Sequence, residues 1–356
     1  MISLSFQRRS CFLALILSLS HPITGRAQQV KRQQDITALP SRVAFGSCSD
    51  QEKPQPLLRD IAGLKPDLFI YLGDNIYGDT EDMVELSRKY AELAAKPEFQ
   101  VLRATVPTLA IWDDHDYGAN DAGLEYPKKE ESKAIFMNFW RVPQDSSRRK
   151  HPGIYHSHSF SKGGRTLQII LLDTRTFRSP LATNTVPSWK NDYHPDTNPD
   201  KTLLGEAQWK WLAEELSKPA DVRVIASSIQ FGHQHNGWES WTNLPHELLK
   251  MLSTIRETKA DGVVFISGDV HWGEISVLEV EDLYPIHDVT SSGLTQDWDS
   301  VEPNQNRHGP VVRENNFGQI EIDWDSSDPI IALSIVDNTG TTRVIKRVPL
   351  SSLKAQ

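Results

Sequence analysis

The sequence predicts an α/β fold in which strands and helices alternate around a central sheet. Short apolar runs recur along the chain without polar alternation, which is typical of strands buried on both faces. Segments with apolar residues at helical spacing lie between these runs. In the C-terminal part, strand-like segments follow one another with few helices between them, so this part is predicted to be mostly strand.

The individual elements are predicted from the same patterns. Six apolar runs are predicted to be buried strands, at residues 42–45, 68–72, 108–111, 167–172, 222–227 and 263–267. Three segments between them are predicted to be helices, at residues 80–93, 205–217 and 247–258. One face of the second helix carries Trp209, Leu212, Ala213 and Leu216. Later strands are predicted at residues 275–280, 320–324, 331–336 and 343–348, with a hairpin turn at residues 337–340.

The N-terminal segment has the order of features found in an export signal. Arg8 and Arg9 supply positive charge, and the apolar run at residues 12–19 is too short to span a bilayer. Gly25 and Ala27, on either side of Arg26, then offer a small-x-small cleavage site. We therefore expect a signal peptide at residues 1–27 and a periplasmic or extracellular protein, and the paired arginines permit the twin-arginine route. A buried N-terminal strand or helix is the alternative.

The cysteine content and the net charge limit the classes of function that the sequence allows. The chain has two cysteines, Cys11 in the signal segment and Cys48 after the first predicted strand. Removal of the signal would leave Cys48 alone in an oxidising compartment, where a lone thiol is expected to be buried, paired between chains or bound to metal. The formal net charge is -9 without any basic block, so we expect no stable nucleic-acid partner. No later segment is apolar and long enough to predict a membrane span.

Four short polar segments share one placement, because each directly follows a predicted strand. In open α/β sheets the carboxyl ends of strands face the ligand crevice, so these segments are expected to converge. The four segments are Phe45-Gly46-Ser47-Cys48, Gly73-Asp74-Asn75-Ile76-Tyr77, Trp112-Asp113-Asp114-His115-Asp116 and Gly268-Asp269-Val270-His271. Each has an ordinary alternative, such as a tight turn, a buried thiol or a solvated acidic loop. Their joint occurrence, with Asp at three strand ends and His at two of them, favours a functional site.

This combination resembles the calcineurin-like metallophosphoesterases and, within them, the alkaline phosphatase D family, which is related to purple acid phosphatases. The resemblance rests on the four segments and extends over nearly the whole chain from about residue 42, with further matches at residues 172–175 and 316–318. It implies a four-layer α/β/β/α sandwich, in which two packed mixed sheets are flanked by helices. The expected division is a polar lead-in at residues 28–41, one catalytic domain at residues 42–350 and a tail at residues 351–356.

Carried over by position, the resemblance implies two metal sites. The ligands of the first site would be Cys48, Asp74, Tyr77 and His271, and those of the second would be Asp74 as a bridge, Asp114 and Asp269. A thiolate and a phenolate are strong anionic donors, so the first site is expected to hold Fe(III). Carboxylate oxygens are hard ligands, so the second site is expected to hold one or two Ca ions rather than Zn. The remaining ligands stay open among Asn120, Gln230, His233 and His235.

The expected chemistry follows from these positions. The metals would neutralise phosphate oxygens, lower the pKa of a bound water and align it for in-line attack on a phosphate ester. His115 is predicted to protonate the leaving-group oxygen or to stabilise its charge. Arg175 is predicted to bind a phosphate oxygen, with a structural ion pair as the alternative, and Asp173 would hold it in place. Trp238 and Trp241 are candidates for the pocket rim, and one of them is expected in the core.

The predicted function is the hydrolysis of phosphomonoesters, phosphodiesters or both by an exported enzyme, with a small phosphate ester as substrate. The oligomeric state stays open. Two alternatives belong to other classes of protein. An iron–tyrosinate redox protein would need only the first metal site. A non-catalytic phosphate- or polyanion-binding protein on the same fold would need the metals but not His115.

Overall fold

The computed structural model describes Val30, Ile36 and residues 38–185 and 191–355. The predicted signal peptide and most of the predicted lead-in lie outside this described part. Within it, the strands form two large mixed sheets and one small two-stranded ribbon. The two large sheets pack face to face with helices on their outer sides, which confirms the predicted α/β sandwich.

The elements are numbered in chain order. The strands are β1 (Arg42–Gly46), β2 (Leu68–Leu72), β3 (Thr108–Ile111), β4 (His156–Lys162), β5 (Arg165–Leu171), β6 (Ala182–Thr183), β7 (Tyr193–His194), β8 (Val222–Ala226), β9 (Val263–Ser267), β10 (Gly273–Leu278), β11 (Ile286–Ser291), β12 (Arg307–Val312), β13 (Asn316–Ile322), β14 (Ile330–Asp337) and β15 (Thr342–Pro349). The α-helices are α1 (Pro56–Leu64), α2 (Met83–Ala95), α3 (Pro97–Thr105), α4 (Asp114–Tyr117), α5 (Lys129–Phe139), α6 (Gly205–Leu216) and α7 (Pro245–Glu257).

The two sheets have related architectures. The first has the strand order β15-β14-β13-β1-β2-β3, and the second has the order β12-β10-β11-β9-β8-β5-β4. In the first sheet β1, β2 and β3 run parallel, and β13 joins them antiparallel. In the second sheet β5, β8, β9 and β11 run parallel. The parallel strands β2, β8 and β9 are buried along their whole length, which explains their mostly apolar sequences.

The sheets contact each other through β10 and β11 of one and β13 and β14 of the other. Helices cover the outer faces with apolar stripes, such as Leu57, Leu58 and Ile61 of α1. The parallel strands of both sheets therefore end along one side of the sandwich. The loops that follow them are brought close together across the sheet interface.

The six predicted buried strands are confirmed as β1, β2, β3, β5, β8 and β9. The helix predicted at residues 80–93 is present as α2 but begins three residues later than predicted, at Met83. The reason is a cap: the Asp82 carboxylate accepts hydrogen bonds from the backbone N–H groups of Val84 and Glu85, so the helix starts after it.

The C-terminal residues pack on the domain. Residues 351–355 were predicted as a tail, but Leu353 is fully buried and the backbone N–H of Ala355 donates to Asp261 at 2.8 Å. Among the helices that the structure describes, none combines the length and the apolar character required to cross a membrane.

Candidate metal centre

The four predicted segments meet where the parallel strands end. The loop after β1 carries Cys48, the loop after β2 carries Asp74 and Tyr77, the loop after β3 carries Asp114 and His115, and the loop after β9 carries Asp269 and His271. Because β9 belongs to the second sheet and the other three strands to the first, the site is built across the interface of the sheets. This is the convergence that the strand ends predicted.

Four of the predicted ligands have a left-handed backbone conformation. The φ angles are 60° at Cys48, 47° at Asp74, 75° at Asp269 and 64° at His271. A residue with a Cβ rarely adopts such angles, and the strain is found mainly where function requires it. The four side chains therefore point toward one centre because their loops turn sharply directly after the strands.

The turn at Asp74 is fixed by two neighbours. A Cβ on Gly73, whose φ is 103°, would overlap Asp113, so glycine is required there. The buried Asp116 carboxylate accepts hydrogen bonds from the backbone N–H groups of Asp74 at 3.1 Å and Asp113 at 2.7 Å. Asp116 thus links two loops that carry predicted ligands by hydrogen bonds to their backbones.

The predicted iron ligands lie side by side. Ligand atoms of Cys48, Asp74 and His271 all lie within 4.8 Å of one another. Cys48 Sγ is 3.3 Å from Asp74 Oδ2, and the Tyr77 hydroxyl is 3.2 Å from His271 Nε2. Ser292 holds the group in place, because its hydroxyl lies 3.1 Å from Cys48 Sγ and accepts a hydrogen bond from the His271 backbone at 2.8 Å. The structure therefore brings together all four residues of the first predicted site.

The predicted calcium ligands form a second group around the same aspartate. Asp74, Asp113, Asp114 and Asp269 place carboxylate oxygens within 4.8 Å of one another. Within the described chain, Asp74 Oδ1, Asp113 Oδ2 and Asp114 Oδ1 are buried without a hydrogen-bond donor. Burial and the neighbouring carboxylates raise the pKa of Asp74 and of Asp269 well above the usual range. Buried carboxylates without donors are costly unless a cation compensates them, so this donor set fits a bound metal ion.

A third acidic group includes two residues that the sequence did not reveal. Asp114, Asp121 and Glu239 bring carboxylate oxygens within 4.8 Å of one another. The Asp121 backbone N–H donates to Asp114 at 2.7 Å, and the Tyr193 hydroxyl donates to the Asp121 carboxylate at 2.6 Å. Burial raises the pKa of Asp121 to about 7. Neither Asp121 nor Glu239 directly follows a strand, and the available signal was their position next to the candidate residues Asn120 and Trp238.

His115 lies beside both groups and is held by a carboxylate that the sequence did not single out. Its Nδ1 lies 2.8 Å and 2.9 Å from the two carboxylate oxygens of Asp79. Burial lowers the pKa of His115, but Asp114, Asp74 and Asp79 outweigh it and raise the pKa to about 11. Nδ1 bonds to Asp79, a ring nitrogen of His115 lies within 4.8 Å of carboxylate oxygens of Asp74 and Asp114, and the residue lines the pocket. The arrangement is suited to a positioned proton donor.

Arg175 lies behind the acidic groups rather than in the pocket. Its side chain is fully buried, and its guanidinium pairs with Asp113 and Glu239. It also lies 3.9 Å from Asp114. Asp173 holds the Arg175 loop by accepting a hydrogen bond from the Arg175 backbone at 3.0 Å. Because carboxylates flank the guanidinium, its geometry favours the ion-pair alternative over direct contact with a phosphate.

The four remaining candidate ligands do not lie together. One lines the pocket, and the three that follow β8 lie elsewhere. Asn120 lines the pocket. Gln230 instead donates to Glu274 at 2.7 Å, His233 lies 4.0 Å from the same carboxylate, and His235 bonds to His233 through its backbone. The structure therefore does not bring Gln230, His233 or His235 to the metal groups, because Glu274 on β10 holds this part of the loop inside the protein.

A pocket of about 210 Å³ opens over the acidic groups. Its lining consists of Asp114, His115, Asn120, Asp121, Asp192, Tyr193, Trp238, Glu239, Asp269, Val270, His271, Trp272 and Trp298. Trp238 is thus a rim residue, whereas Trp241 is fully buried, as expected for one of the two. A ligand in this pocket would contact both the carboxylates and an aromatic rim.

Solved structures with the same architecture define the class of fold. A structure of PhoD matches with a TM-score of 0.67 and 19% identity, over 87% of this chain and 72% of that chain. A dimetal phosphatase from Danio rerio matches with a TM-score of 0.53 and 14% identity, over 89% of this chain and 100% of that chain. The protein therefore has the fold of these two structures.

Sequence comparison then gives the family. The family described as PhoD-like phosphatase matches residues 43–327, and the chain belongs to this family. The alkaline phosphatase D of Bacillus subtilis (strain 168) is 26% identical over 277 residues, a match that covers 67% of this chain and 47% of that relative. The matched part of this chain thus spans about half the length of the curated relative. The resemblance read from the four segments is confirmed.

Proposed function

We propose that this protein is an exported, metal-dependent phosphoesterase that hydrolyses phosphomonoesters, phosphodiesters or both. The proposal is supported by its family and carried by one observation: Asp74 belongs both to the group with Cys48 and His271 and to the group of carboxylates. A carboxylate shared between a set with a thiolate, a phenolate and an imidazole and a set made only of carboxylates would suit a bridge between two different metal ions. The export part rests on the N-terminal sequence.

The residues can be assigned to three ions. Fe(III) would be held by Cys48, Asp74, Tyr77 and His271, one Ca ion by Asp74, Asp114 and Asp269 with Asp113 close by, and a second Ca ion by Asp114, Asp121 and Glu239. When bound, such ions supply positive charge for phosphate oxygens and a water of lowered pKa. The three unpaired carboxylate oxygens support this assignment, because each has an acceptor site that no described side chain uses.

The protein's own groups then act on the ester. His115 donates a proton to the departing oxygen, and Asp79 holds the imidazole through Nδ1. Arg175 positions Asp113 and Glu239 and offsets part of the negative charge behind the ligands. The rim residue Trp238 would contact the bound ester from the pocket wall.

The direct test combines metal analysis with a substrate panel. The mature protein should contain iron and calcium and should hydrolyse phosphomonoesters or phosphodiesters of the panel. A calcium-selective chelator should abolish the activity, and calcium should restore it, because hard carboxylate oxygens supply the second site. Restoration by zinc alone would reject the calcium assignment. A metal-loaded protein that hydrolyses no ester but undergoes iron redox cycling would favour the redox alternative.

Tyr77 provides a spectroscopic test of the iron assignment. A tyrosinate bound to Fe(III) gives visible absorption by charge transfer, so the native protein should be coloured. Tyr77→Phe should weaken or shift this band, because the phenolate that lies beside His271 is lost. Tyr193→Phe is a matched control, since Tyr193 also lines the site but bonds to Asp121 and should leave the band in place. A colourless, iron-free and fully active protein would rule out the assignment.

A further inference from the structure

A second cavity lies at the side of the sandwich, between the free edges of the two sheets. β3 is the end strand of one sheet and β4 is the end strand of the other. The cavity has a volume of about 390 Å³ and is lined by residues of both strands, among them Thr108 and His156. The described residues that line this cavity include none of those that line the pocket over the acidic groups. This cavity is therefore separate from the metal centre.

The lining of this side cavity carries positive charge on three arginines. Its charged and titratable lining residues are Arg103, Arg141, Arg148, His156 and His158. The lining residues that the structure describes include no aspartate or glutamate. Trp140 adds an indole N–H that is buried and has no acceptor among the described residues. The cavity thus presents many donors and few acceptors.

Arg103 is the first of two largely buried arginines in this lining. Its side chain is 7% exposed, and its guanidinium lies 5.0 Å from the centre of the Trp140 ring. No described carboxylate or carbonyl accepts a hydrogen bond from this guanidinium. Burial lowers the pKa of Arg103 to about 10, and only Tyr71 opposes that effect. The guanidinium packs on the rings of Phe99 and Trp140, which leaves its N–H donors available to an anion.

Arg148 contributes a second buried charge at the same edge. Its side chain is 5% exposed and donates to the backbone carbonyls of Ile154 at 2.7 Å and Ala110 at 2.9 Å. These neutral acceptors fix the guanidinium beside β3 but do not neutralise it. Arg141 lies at the exposed end of the cavity. The cavity therefore combines two fixed charges inside with one accessible charge at its mouth.

We propose that this side cavity binds a phosphate-type dianion, either inorganic phosphate or the phosphate group of a larger molecule. Guanidinium groups match tetrahedral oxyanions because each offers a planar pair of donors. Two buried arginines, the indole N–H and the accessible arginine give such an anion partners on several sides. The site stands apart from the proposed hydrolysis and does not depend on it.

The test is titration of the mature, metal-loaded protein with inorganic phosphate in a calorimeter. Arg103→Met should weaken binding at this site by about tenfold or more, the effect of losing one charge-assisted hydrogen bond. Hydrolysis of nitrophenyl phosphate should stay within about twofold of the parent, an order-of-magnitude limit for a residue outside the metal centre. Arg88→Met is the matched control, because Arg88 is an exposed arginine already paired with Glu85 and Glu92.

Further experiments distinguish free phosphate from the phosphate group of a larger molecule, and binding in the side cavity from binding at the metal centre. Phenylphosphonate, which has no ester bond to hydrolyse, tests whether the phosphate group of a larger molecule fits, and binding of inorganic phosphate alone would assign the site to the free ion. If Arg103→Met does not fold, the exposed change Arg141→Gln makes the same test. Asp269→Asn alters the metal centre and should leave this binding event intact. Unchanged phosphate affinity in both arginine variants, or its loss in Asp269→Asn alone, would overturn the proposal.

Discussion

Asp74→Asn is expected to remove both kinds of metal and to lower turnover by about 10³-fold or more, since metals supply several kcal/mol of transition-state stabilisation. Asp74 lies 3.3 Å from the Cys48 thiol and belongs to the carboxylate group with Asp114 and Asp269. Asparagine keeps the size of the side chain and leaves the backbone hydrogen bond to Asp116 unchanged. It removes the negative charge that a bridging position needs.

The stability of this variant separates metal loss from misfolding. Burial and neighbouring carboxylates raise the pKa of Asp74, so the charged side chain destabilises the metal-free fold. In chelator, Asp74→Asn should therefore melt at the same temperature as the parent or higher. Without chelator it should melt lower, because it no longer gains from metal binding. A variant that melts lower in chelator as well would instead be misfolded.

The matched control for this variant is Asp192→Asn. Asp192 lines the same pocket but belongs to none of the metal-ligand groups among the described residues. It should keep its iron and calcium and most of its turnover. An Asp74→Asn protein that retained both metals and worked within tenfold of the parent would show that Asp74 is not the bridge.

The central strands were predicted well because burial on both faces of a strand gives a mostly apolar run of residues. β2, β8 and β9 are covered by a sheet on one side and helices on the other, so nearly every position is apolar, with Arg223 and Ser267 as the exceptions. The edge strand β4, with the sequence HSHSFSK, was missed because most of its side chains are polar and partly exposed. Likewise β12 contains Gly309 and Pro310, which are turn residues in most contexts.

The candidate site was predictable where it lies at strand ends. Six predicted ligands converge because the loops after β1, β2, β3 and β9 must meet on one side of the sandwich. Asp121 and Glu239 were missed because they lie on longer loops, and only folding brings them to Asp114. Asp79 was missed for a similar reason, since its partner His115 is 36 residues away. Arg175 was identified, but its ion pairs became visible only with the fold.

Replacing His115 with alanine is expected to have an effect that depends on the leaving group. An alkoxide leaves poorly and needs a proton, whereas nitrophenolate hardly needs one. General acid catalysis typically contributes about 10²–10⁴-fold, or roughly 3–5 kcal/mol. His115→Ala should therefore slow hydrolysis of an alkyl phosphate by about that factor and hydrolysis of nitrophenyl phosphate far less. Metal content should stay near that of the parent, because His115 is assigned as a proton donor and not as a ligand.

Asp79→Asn tests whether the imidazole is positioned by this carboxylate. Asparagine can still accept a hydrogen bond from His115 Nδ1 but no longer stabilises the imidazolium, so a loss of about 10–100-fold on alkyl phosphates is expected. The loss should show the same dependence on leaving group as His115→Ala, and the double variant should be little worse than His115→Ala. Glu81→Gln, an exposed change two residues away, is the matched control and should behave like the parent.

Metal loss in His115→Ala would make His115 a ligand. Equal damage to both substrates with metals intact would give it a role in holding phosphate, because only proton donation distinguishes the two leaving groups.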